Sequence, residues 1–152
     1  MLPLGAGIAG ESRTRVTSTS LAPENWPLLH TAHPNVLMVG SDVAVDDALH
    51  ALLGACLQSV VTHRINDGLE LPSCSLGRTV VLRGVAQLSL RDQHRLMEWL
   101  GEACGRTQTV ATDARPLWPR IQAGTFLAGL YYRLNTIYFD LSPDADDDPR
   151  RQ

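Results

Sequence analysis

The amino-acid sequence predicts an α/β fold, with three layers (α-β-α) built around a mostly parallel sheet. The chain has 152 residues, enough for one domain with a single core. Hydrophobic residues make up 44% and charged residues 19% of it, values typical of folded globular proteins. Short apolar runs alternate with segments of helical periodicity, and this alternation favours about four or five parallel strands covered by helices.

The first elements of the core are a strand, a turn, a helix and a second strand. Val36–Val39 is a continuous apolar run, typical of a buried strand, and the Gly-Ser-Asp sequence at 40–42 predicts a turn. Apolar residues recur at helical spacing over 46–56, which predicts a helix, and 59–62 is the next strand candidate. Loop signals at Asn66-Asp-Gly and Leu71-Pro-Ser separate this strand from the second half of the core.

The second half continues the alternation. We predict strands at 79–82, 107–111 and 136–141. Ser89, with Asp92 three residues later, resembles a capping box and predicts the start of a long helix. A short helix bounded by two prolines and a helix over 126–134 complete the core. The buried face of the long helix is expected to contain Leu90, Leu96, Met97, Leu100 and Ala103.

Both ends of the chain differ from this core in composition. Residues 1–34 are rich in Gly, Ser, Thr, Pro and Ala, which predicts a flexible tail or linker. Residues 143–152 are acidic and predict a frayed, solvated terminus. The core is thus expected at 35–142. A literal GxGxxG at 5–10 has no preceding strand, so it does not indicate a dinucleotide site.

Charge and composition exclude several classes of function. The net charge is −3, which provides no general attraction to nucleic acid, and no apolar run is long enough to cross a membrane. All 13 basic residues are Arg, so Schiff-base chemistry and a phosphate-binding lysine are excluded. Three widely spaced cysteines and scattered histidines indicate neither disulfides nor a metal site. We expect a cytoplasmic protein without a signal peptide.

Several segments resemble one family in the same order. Residues 124–135, GTFLAGLYYRLN, resemble the GxFRxDLYYRLN sequence in the AAA+ domain of sigma-54-dependent bacterial transcription activators. Residues 77–88, GRTVVLRGVAQL, resemble its Walker B segment, GGTLFLDEIGEL, and 109–113, TVATD, its sensor I strand. Residues 36–47, VLMVGSDVAVDD, resemble its phosphate loop, VLIxGESGTGKE. The resemblance implies a reduced AAA+, P-loop NTPase-like core lacking the helical lid.

The departures from the family fall on its chemical residues. Of the phosphate-loop glycines only Gly40 remains, and Asp46 occupies the lysine position. A carboxylate there would repel a phosphate. One hypothesis is a variant nucleotide site that uses Gly40, Ser41, Asp42 and Asp46. The other, which we favour, is that Asp46 and Asp47 cap a helix N-terminus, where carboxylates are stabilising.

The Walker B and sensor positions have also changed. Arg83 and Gly84 stand where the resemblance implies the acidic pair that holds magnesium and polarises water, and Asp113 replaces the sensor asparagine. Because parallel strands end at the same edge of a sheet, we expect Arg83 to lie close to Asp46 or Asp113. Such an ion pair would fill the nucleotide cleft without a ligand.

The sequence therefore predicts a non-catalytic regulatory or interaction module, with no enzymatic activity and neither ATP nor a metal as cofactor. The alternative is a sigma-54 interaction domain that still binds ATP and takes part in transcription regulation. The resemblance implies a protein partner, either a second copy or an intact AAA+ activator, without direct DNA or membrane binding. Arg133 falls on an arginine-finger position, although an ion pair with an acidic neighbour is the favoured role. The other candidate interface residues are Trp118, Phe126, Tyr131 and Tyr132.

Overall fold

A computed structural model describes residues 14–17, 33–53, 60–66, 68–73, 78–103 and 107–141. These residues form one six-stranded sheet with helices on both faces. The strands are β1 (Thr14–Thr17), β2 (Val36–Val39), β3 (Val60–Arg64), β4 (Arg78–Arg83), β5 (Thr107–Asp113) and β6 (Ile137–Asp140). The helices are α1 (Asp42–Leu53), α2 (Leu90–Ala103), α3 (Trp118–Gln122) and α4 (Ala128–Leu134), with a 3₁₀ turn at Val85–Gln87.

The sheet is parallel throughout and has the order β1-β6-β2-β5-β4-β3. Successive residues of a strand point to opposite faces, and β2 shows the consequence. Its Leu37 and Val39 belong to a core shared with α2 and α4, whereas Val36 and Met38 belong to a second core shared with α1. The structure thus has the predicted three layers, and the prediction of an α/β fold is confirmed.

The strand β1 lies within residues 1–34, which composition predicts to be a flexible tail. Its four residues pair in parallel with β6, in the register Thr14 with Ile137 and Thr17 with Asp140. Three of the four, Thr14, Val16 and Thr17, are β-branched and favour extended backbone. The tail prediction therefore needs correction at this strand. The remainder of that segment up to residue 32, like the predicted acidic terminus at 143–152, falls outside the described residues.

The other edge strand, β3, has more exposed residues than the central strands. All four residues of β2 are buried, while β3 has three exposed residues among its five. The chain then leaves β3 toward α2, where Ile65 and Leu69 join the core and the Trp99 indole donates a hydrogen bond of 2.8 Å to the Pro72 carbonyl. This face of the sheet is thereby covered by irregular chain as well as by helix.

The long helix α2 begins one residue after Ser89, as predicted. The Ser89 hydroxyl accepts a hydrogen bond of 3.2 Å from the Asp92 N–H. The predicted buried face is wrong at Leu90, which is 48% exposed. Leu90 is the first residue of the helix, and the buried stripe instead follows Gln93, Leu96 and Leu100.

Gln93 is fully buried and joins α2 to the segment before α4. Its amide Nε2 donates hydrogen bonds of 3.0 Å to the Leu88 carbonyl and 3.0 Å to the Thr125 carbonyl. Its Oε1 accepts a hydrogen bond of 2.8 Å from the Leu127 N–H. A buried polar side chain is stabilising only when it is satisfied in this way. Gln93 thus holds the connection between α3 and α4 against the core.

We expect Gln93→Leu to lower the free energy of unfolding by about 3 kcal/mol, because two carbonyls and one N–H lose their partner in the interior. Urea denaturation measures this change. The exposed neighbour His94 provides the control, since His94→Leu on the same helix removes no such bond. Equal stability of the two variants would contradict this role of Gln93.

Candidate functional site

The carboxyl ends of the strands open into a cleft of about 200 Å³. This is the edge of a parallel sheet at which α/β proteins usually bind ligands. The cleft brings together residues from β3, β4 and β5 with the start of α1 and with α3. Its lining residues are Gly40, Asp42, Val45, Arg64, Arg83, Gly84, Ala86, Gln87, Thr112, Asp113, Ala114 and Arg120.

The connection from β2 to α1 consists of only Gly40 and Ser41. The Ser41 hydroxyl accepts a hydrogen bond of 3.2 Å from the Ala44 N–H, and its carbonyl accepts one of 2.9 Å from the Val45 N–H. Ser41 is therefore the residue that caps α1. The predicted turn at 40–42 is wrong at Asp42, which is helical, and the predicted helix start at residue 46 is four residues late.

Because α1 begins at Asp42 and not at residue 46, the roles of Asp42, Asp46 and Asp47 differ from those predicted. Asp46 and Asp47 lie in the second turn of α1, so the prediction that they cap its N-terminus is wrong. Asp42 is the acidic residue of the first turn, where a carboxylate is favourable. Asp42 and Asp46 are four residues apart and thus face the same side of the helix.

Gly40 is required by packing. A Cβ atom at this position would lie 2.7 Å from the Leu141 Cβ and 3.3 Å from the Leu141 backbone carbon. Real Cβ atoms do not approach this closely, so any larger residue would push apart the ends of β2 and β6. The Gly40 N–H also donates a hydrogen bond of 3.0 Å to the Asp113 carbonyl. These contacts account for a glycine here without any ligand.

Arg83, the last residue of β4, binds both of these helix carboxylates. One guanidinium nitrogen donates a hydrogen bond to the Asp46 carboxylate, and the other donates one of 3.0 Å to the Asp42 carboxylate. The Arg83 side chain is only 11% exposed, whereas those of Asp42 and Asp46 are 76% and 60% exposed. The proximity of Arg83 to Asp46 agrees with the expectation from sequence; the contact with Asp42 was not foreseen.

The environment of Arg83 favours its charged form. Burial lowers the pKa of the guanidinium, but hydrogen bonds and charge attraction from Asp46 and Asp42 outweigh burial and raise this pKa above its usual value. The arginine therefore stays protonated and holds α1 against the end of β4. Its Nε atom is buried and has no hydrogen-bond partner among the described residues.

Asp113 has a different set of partners from those expected. Its carboxylate accepts hydrogen bonds of 2.8 Å from the Ala86 N–H and 3.3 Å from the Arg115 N–H. It makes no ion pair with Arg83. Gly84, between β4 and the 3₁₀ turn, has φ of 81°, a left-handed conformation that favours glycine. This conformation turns the chain so that the N–H of Ala86 meets Asp113.

Two arginines of the cleft, Arg64 and Arg120, were not among the predicted site residues. Arg64 ends β3, next to Arg83 in the register of β3 with β4. Arg120 lies in α3, which follows β5. The strand-end argument that placed Arg83 would also have found Arg64, but the predicted strand stopped at residue 62. No sequence signal points to Arg120, because its position depends on the path of the chain after β5.

The predicted interface residues divide between surface and core. Trp118 is 45% and Tyr132 is 42% exposed, with Tyr131 between them. Ring centroids lie 5.9 Å apart for Trp118 and Tyr131 and 5.6 Å apart for Tyr131 and Tyr132. We call these three residues the aromatic patch. Phe126 is buried in the core, so its inclusion as an exposed contact was wrong.

Arg133 is exposed and rests on α2. Its guanidinium donates a hydrogen bond of 3.1 Å to the Met97 carbonyl and lies close to Gly101, where a Cβ would be 3.3 Å from it. The favoured ion pair with an acidic neighbour is therefore wrong within the described part of the chain. The acceptor is a backbone carbonyl, which sequence patterns do not reveal.

The fold is similar to that of solved P-loop NTPase structures. Known structures similar to this chain include NtrX from Brucella abortus in complex with ATP, with a TM-score of 0.62 and 18% identity over 81% of this chain. The P-loop NTPase domain of a sigma-54 transport activator from E. coli is similar, with a TM-score of 0.58 and 15% identity over 79% of this chain. RuvB, the Holliday junction branch migration motor of Thermotoga maritima, has a TM-score of 0.56 and 15% identity over 79% of this chain.

The extent of these similarities differs between the relatives. The chain spans 34% of the length of NtrX and 45% of RuvB, but 91% of the E. coli domain. No protein-family model matches the sequence, and no curated protein is significantly similar to it. At these identities the comparisons establish an α/β fold similar to that of these structures and do not determine the function.

Two further properties concern the described residues as a set. None of their helices combines the length and apolar character that a membrane crossing requires. They also contain no group of three or more His, Cys, Asp or Glu residues placed to hold a metal ion.

We expect the double variant Asp42→Asn/Asp46→Asn to lower the free energy of unfolding by about 1–2 kcal/mol, because a mostly buried guanidinium loses both anionic partners. The exposed positions of the two carboxylates limit the effect, and added salt should reduce it. Differential scanning calorimetry measures it as a drop in Tm of about 2–8 °C.

The matched control is Asp47→Asn, which neutralises an adjacent exposed carboxylate that makes no bond to Arg83. This variant should melt close to the unaltered protein. A double variant that also melts unchanged would show that the Arg83 ion pairs do not stabilise the fold.

Proposed function

We propose that this chain is a regulatory or interaction module related to the AAA+ domains of sigma-54 activators, and that it neither hydrolyses ATP nor requires it. The observation that carries the proposal is the start of α1. Residues 42–47, which the resemblance aligns with the phosphate loop, form two turns of helix, and Arg83 is bound to Asp42 and Asp46 there.

The geometry of this segment argues against a phosphate ligand. A phosphate loop uses glycine-rich, non-helical backbone so that several N–H groups point at one anion. In α1 the N–H groups of Val45 and the residues beyond it point back along the helix toward carbonyls. A triphosphate would also approach Asp42 and Asp46, whose two negative charges exceed the single positive charge of Arg83, so its approach is electrostatically unfavourable.

The positions that would carry metal and water chemistry support the same proposal. Where the resemblance implies a magnesium-binding aspartate and a catalytic glutamate, this chain has Arg83 and Gly84. Asp113, at the sensor position, uses both carboxylate oxygens for backbone N–H groups. ATP hydrolysis needs a positioned metal ion and an oriented water, and these residues provide for neither.

An ATP-independent AAA+-like domain would act through its surface. The aromatic patch exposes Trp118 and Tyr132, and exposed aromatic residues are enriched at protein interfaces. We propose a protein partner for this patch, either a second copy of the chain or an intact AAA+ activator, without direct DNA or membrane binding. Arg133 lies on the same helix as Tyr132 and would border the interface.

Isothermal titration calorimetry with Mg²⁺ and ATP tests the first part of the proposal. We expect no saturable heat at ATP concentrations up to about 5 mM. A ligand present at about 100 times its Kd would raise the free energy of unfolding by about 2.7 kcal/mol, so a parallel melting experiment would reveal binding even without measurable heat.

The alternative, a sigma-54 interaction domain that retains ATP, is supported by one finding, that the similar NtrX structure is a complex with ATP. NtrX is therefore the positive control in the same titration. Magnesium-dependent binding of ATP to this chain at micromolar concentration would contradict our proposal and establish the alternative.

Sedimentation velocity over a range of protein concentrations tests whether the partner is a second copy. If it is, Trp118→Ala and Tyr132→Ala should each weaken self-association by about tenfold or more, as expected for buried aromatic interface residues. The control is Val43→Ala, because Val43 is 71% exposed on α1, away from the aromatic patch. A monomeric protein at all concentrations would exclude a second copy and leave an intact activator as the proposed partner.

A further inference from the structure

The arginines of the cleft differ in how their charge is compensated. Arg83 is shared by two carboxylates, Asp42 and Asp46. Arg64 and Arg120 are exposed, and neither guanidinium has an ion pair or a hydrogen bond within the described part of the chain. Two positive charges without an ion-pair partner among the described residues therefore line one cleft.

The carboxylates of the cleft do not neutralise these two arginines. Asp113 accepts hydrogen bonds from the backbone N–H groups of Ala86 and Arg115, and Asp42 forms an ion pair with Arg83. Asp113 keeps its negative charge, but neither Asp42 nor Asp113 forms an ion pair with Arg64 or Arg120 within the described residues. Arginines without an ion-pair partner on a concave surface attract small anions from solution.

The chemistry of arginine narrows the class of ligand. A guanidinium is planar and presents its N–H groups as a fork, which matches two oxygens of a phosphate or a carboxylate. Arg64 of β3 and Arg120 of α3 both line the cleft, so an anion within it has two guanidinium groups from different elements nearby. The ligand class that fits this arrangement is an oxyanion.

The volume of the cleft limits the size of the ligand that carries the oxyanion. Its volume of about 200 Å³ is below the range of about 300–1,000 Å³ typical of pockets that hold drug-sized molecules. A small molecule or a single terminal group therefore fits this space. Asp42 and Asp46, two carboxylates that share one guanidinium, disfavour extension of an anionic ligand toward α1.

We propose that Arg64 and Arg120 form a binding site for the phosphate or carboxylate group of a small molecule. The site is distinct from a nucleotide phosphate loop, since its ligating groups come from β3 and α3 and not from the segment between β2 and α1. The inference goes beyond the proposed function and does not depend on it, because it requires neither a protein partner nor the absence of ATP.

The test is titration of the full chain with inorganic phosphate and, separately, with succinate, followed by two-dimensional NMR of backbone amides and arginine Nε–H groups. Sodium chloride keeps the ionic strength constant. We expect saturable shifts at Arg64, Arg120 and Gly84, with a Kd of about 1 mM for the better ligand. Tighter binding of phosphate identifies a phosphate-bearing ligand, and tighter binding of succinate identifies a carboxylate.

Two variants and a control make the test specific. Arg64→Gln and Arg120→Gln should each weaken binding by about tenfold or more while the melting temperature stays unchanged, since both side chains are exposed. The control is Arg78→Gln, because Arg78 is the first residue of β4 and lies at the end of this strand away from the cleft. Absence of saturation by either anion, or equal weakening by Arg78→Gln, would overturn the proposal.

The same spectra separate this inference from the proposed function. A titration with Mg²⁺ and ATP that shifts Ser41 and Asp42 would contradict the proposed function, whatever the two anions do. Failure of phosphate and succinate to bind would contradict the oxyanion site and leave the proposed function intact.

Discussion

The ion pairs of Arg83 with Asp42 and Asp46 connect the sheet to α1 beside the cleft. They join the end of β4 to the first two turns of α1, on the face of the sheet opposite α2. Two carboxylates one helical turn apart would repel each other, and a cation between them removes that repulsion. A largely buried guanidinium would in turn be costly without them. The charge of Arg83 and those of the two aspartates therefore stabilise one another.

This arrangement and the other contacts of the cleft form a consistent set. Ser41 begins the helix, Gly40 permits the close approach of Leu141, and Asp113 binds the backbone after Gly84. Ser41, Gly40 and Asp113 thus each have a structural role that needs no ligand. Arg64 and Arg120 differ, because neither guanidinium has an ion-pair partner within the described residues, and the proposed anion site is therefore assigned to them.

Much of the fold could be predicted from local patterns. The apolar run Val36–Val39 and the strands around it are recognisable because central parallel strands are buried on both faces. The meeting of Arg83 with Asp46 followed from the rule that parallel strands end at one edge. The start of α1 was missed because alignment to a phosphate loop took precedence over a good N-cap residue, Ser41, followed by residues without a helix breaker.

Other features depend on geometry that sequence does not encode locally. The bond between Asp113 and the Ala86 N–H requires the left-handed turn at Gly84, and Gly40 requires a neighbour that is 101 residues away in the chain. The exposure of Leu90 depends on where the buried stripe of α2 crosses the sheet. Arg64 lines the cleft because β3 extends two residues beyond residue 62, where the predicted strand ended.

The position of β2 has a consequence for biosynthesis. Its neighbours in the sheet are β5 and β6, which begin at Thr107 and Ile137. During translation β2 therefore has no partner strand until residues up to Asp113 have left the ribosome. Folding with such distant partners is slow and leaves apolar chain exposed in the meantime. The apolar Val36–Val39 segment therefore stays unpaired until β5 has been synthesised.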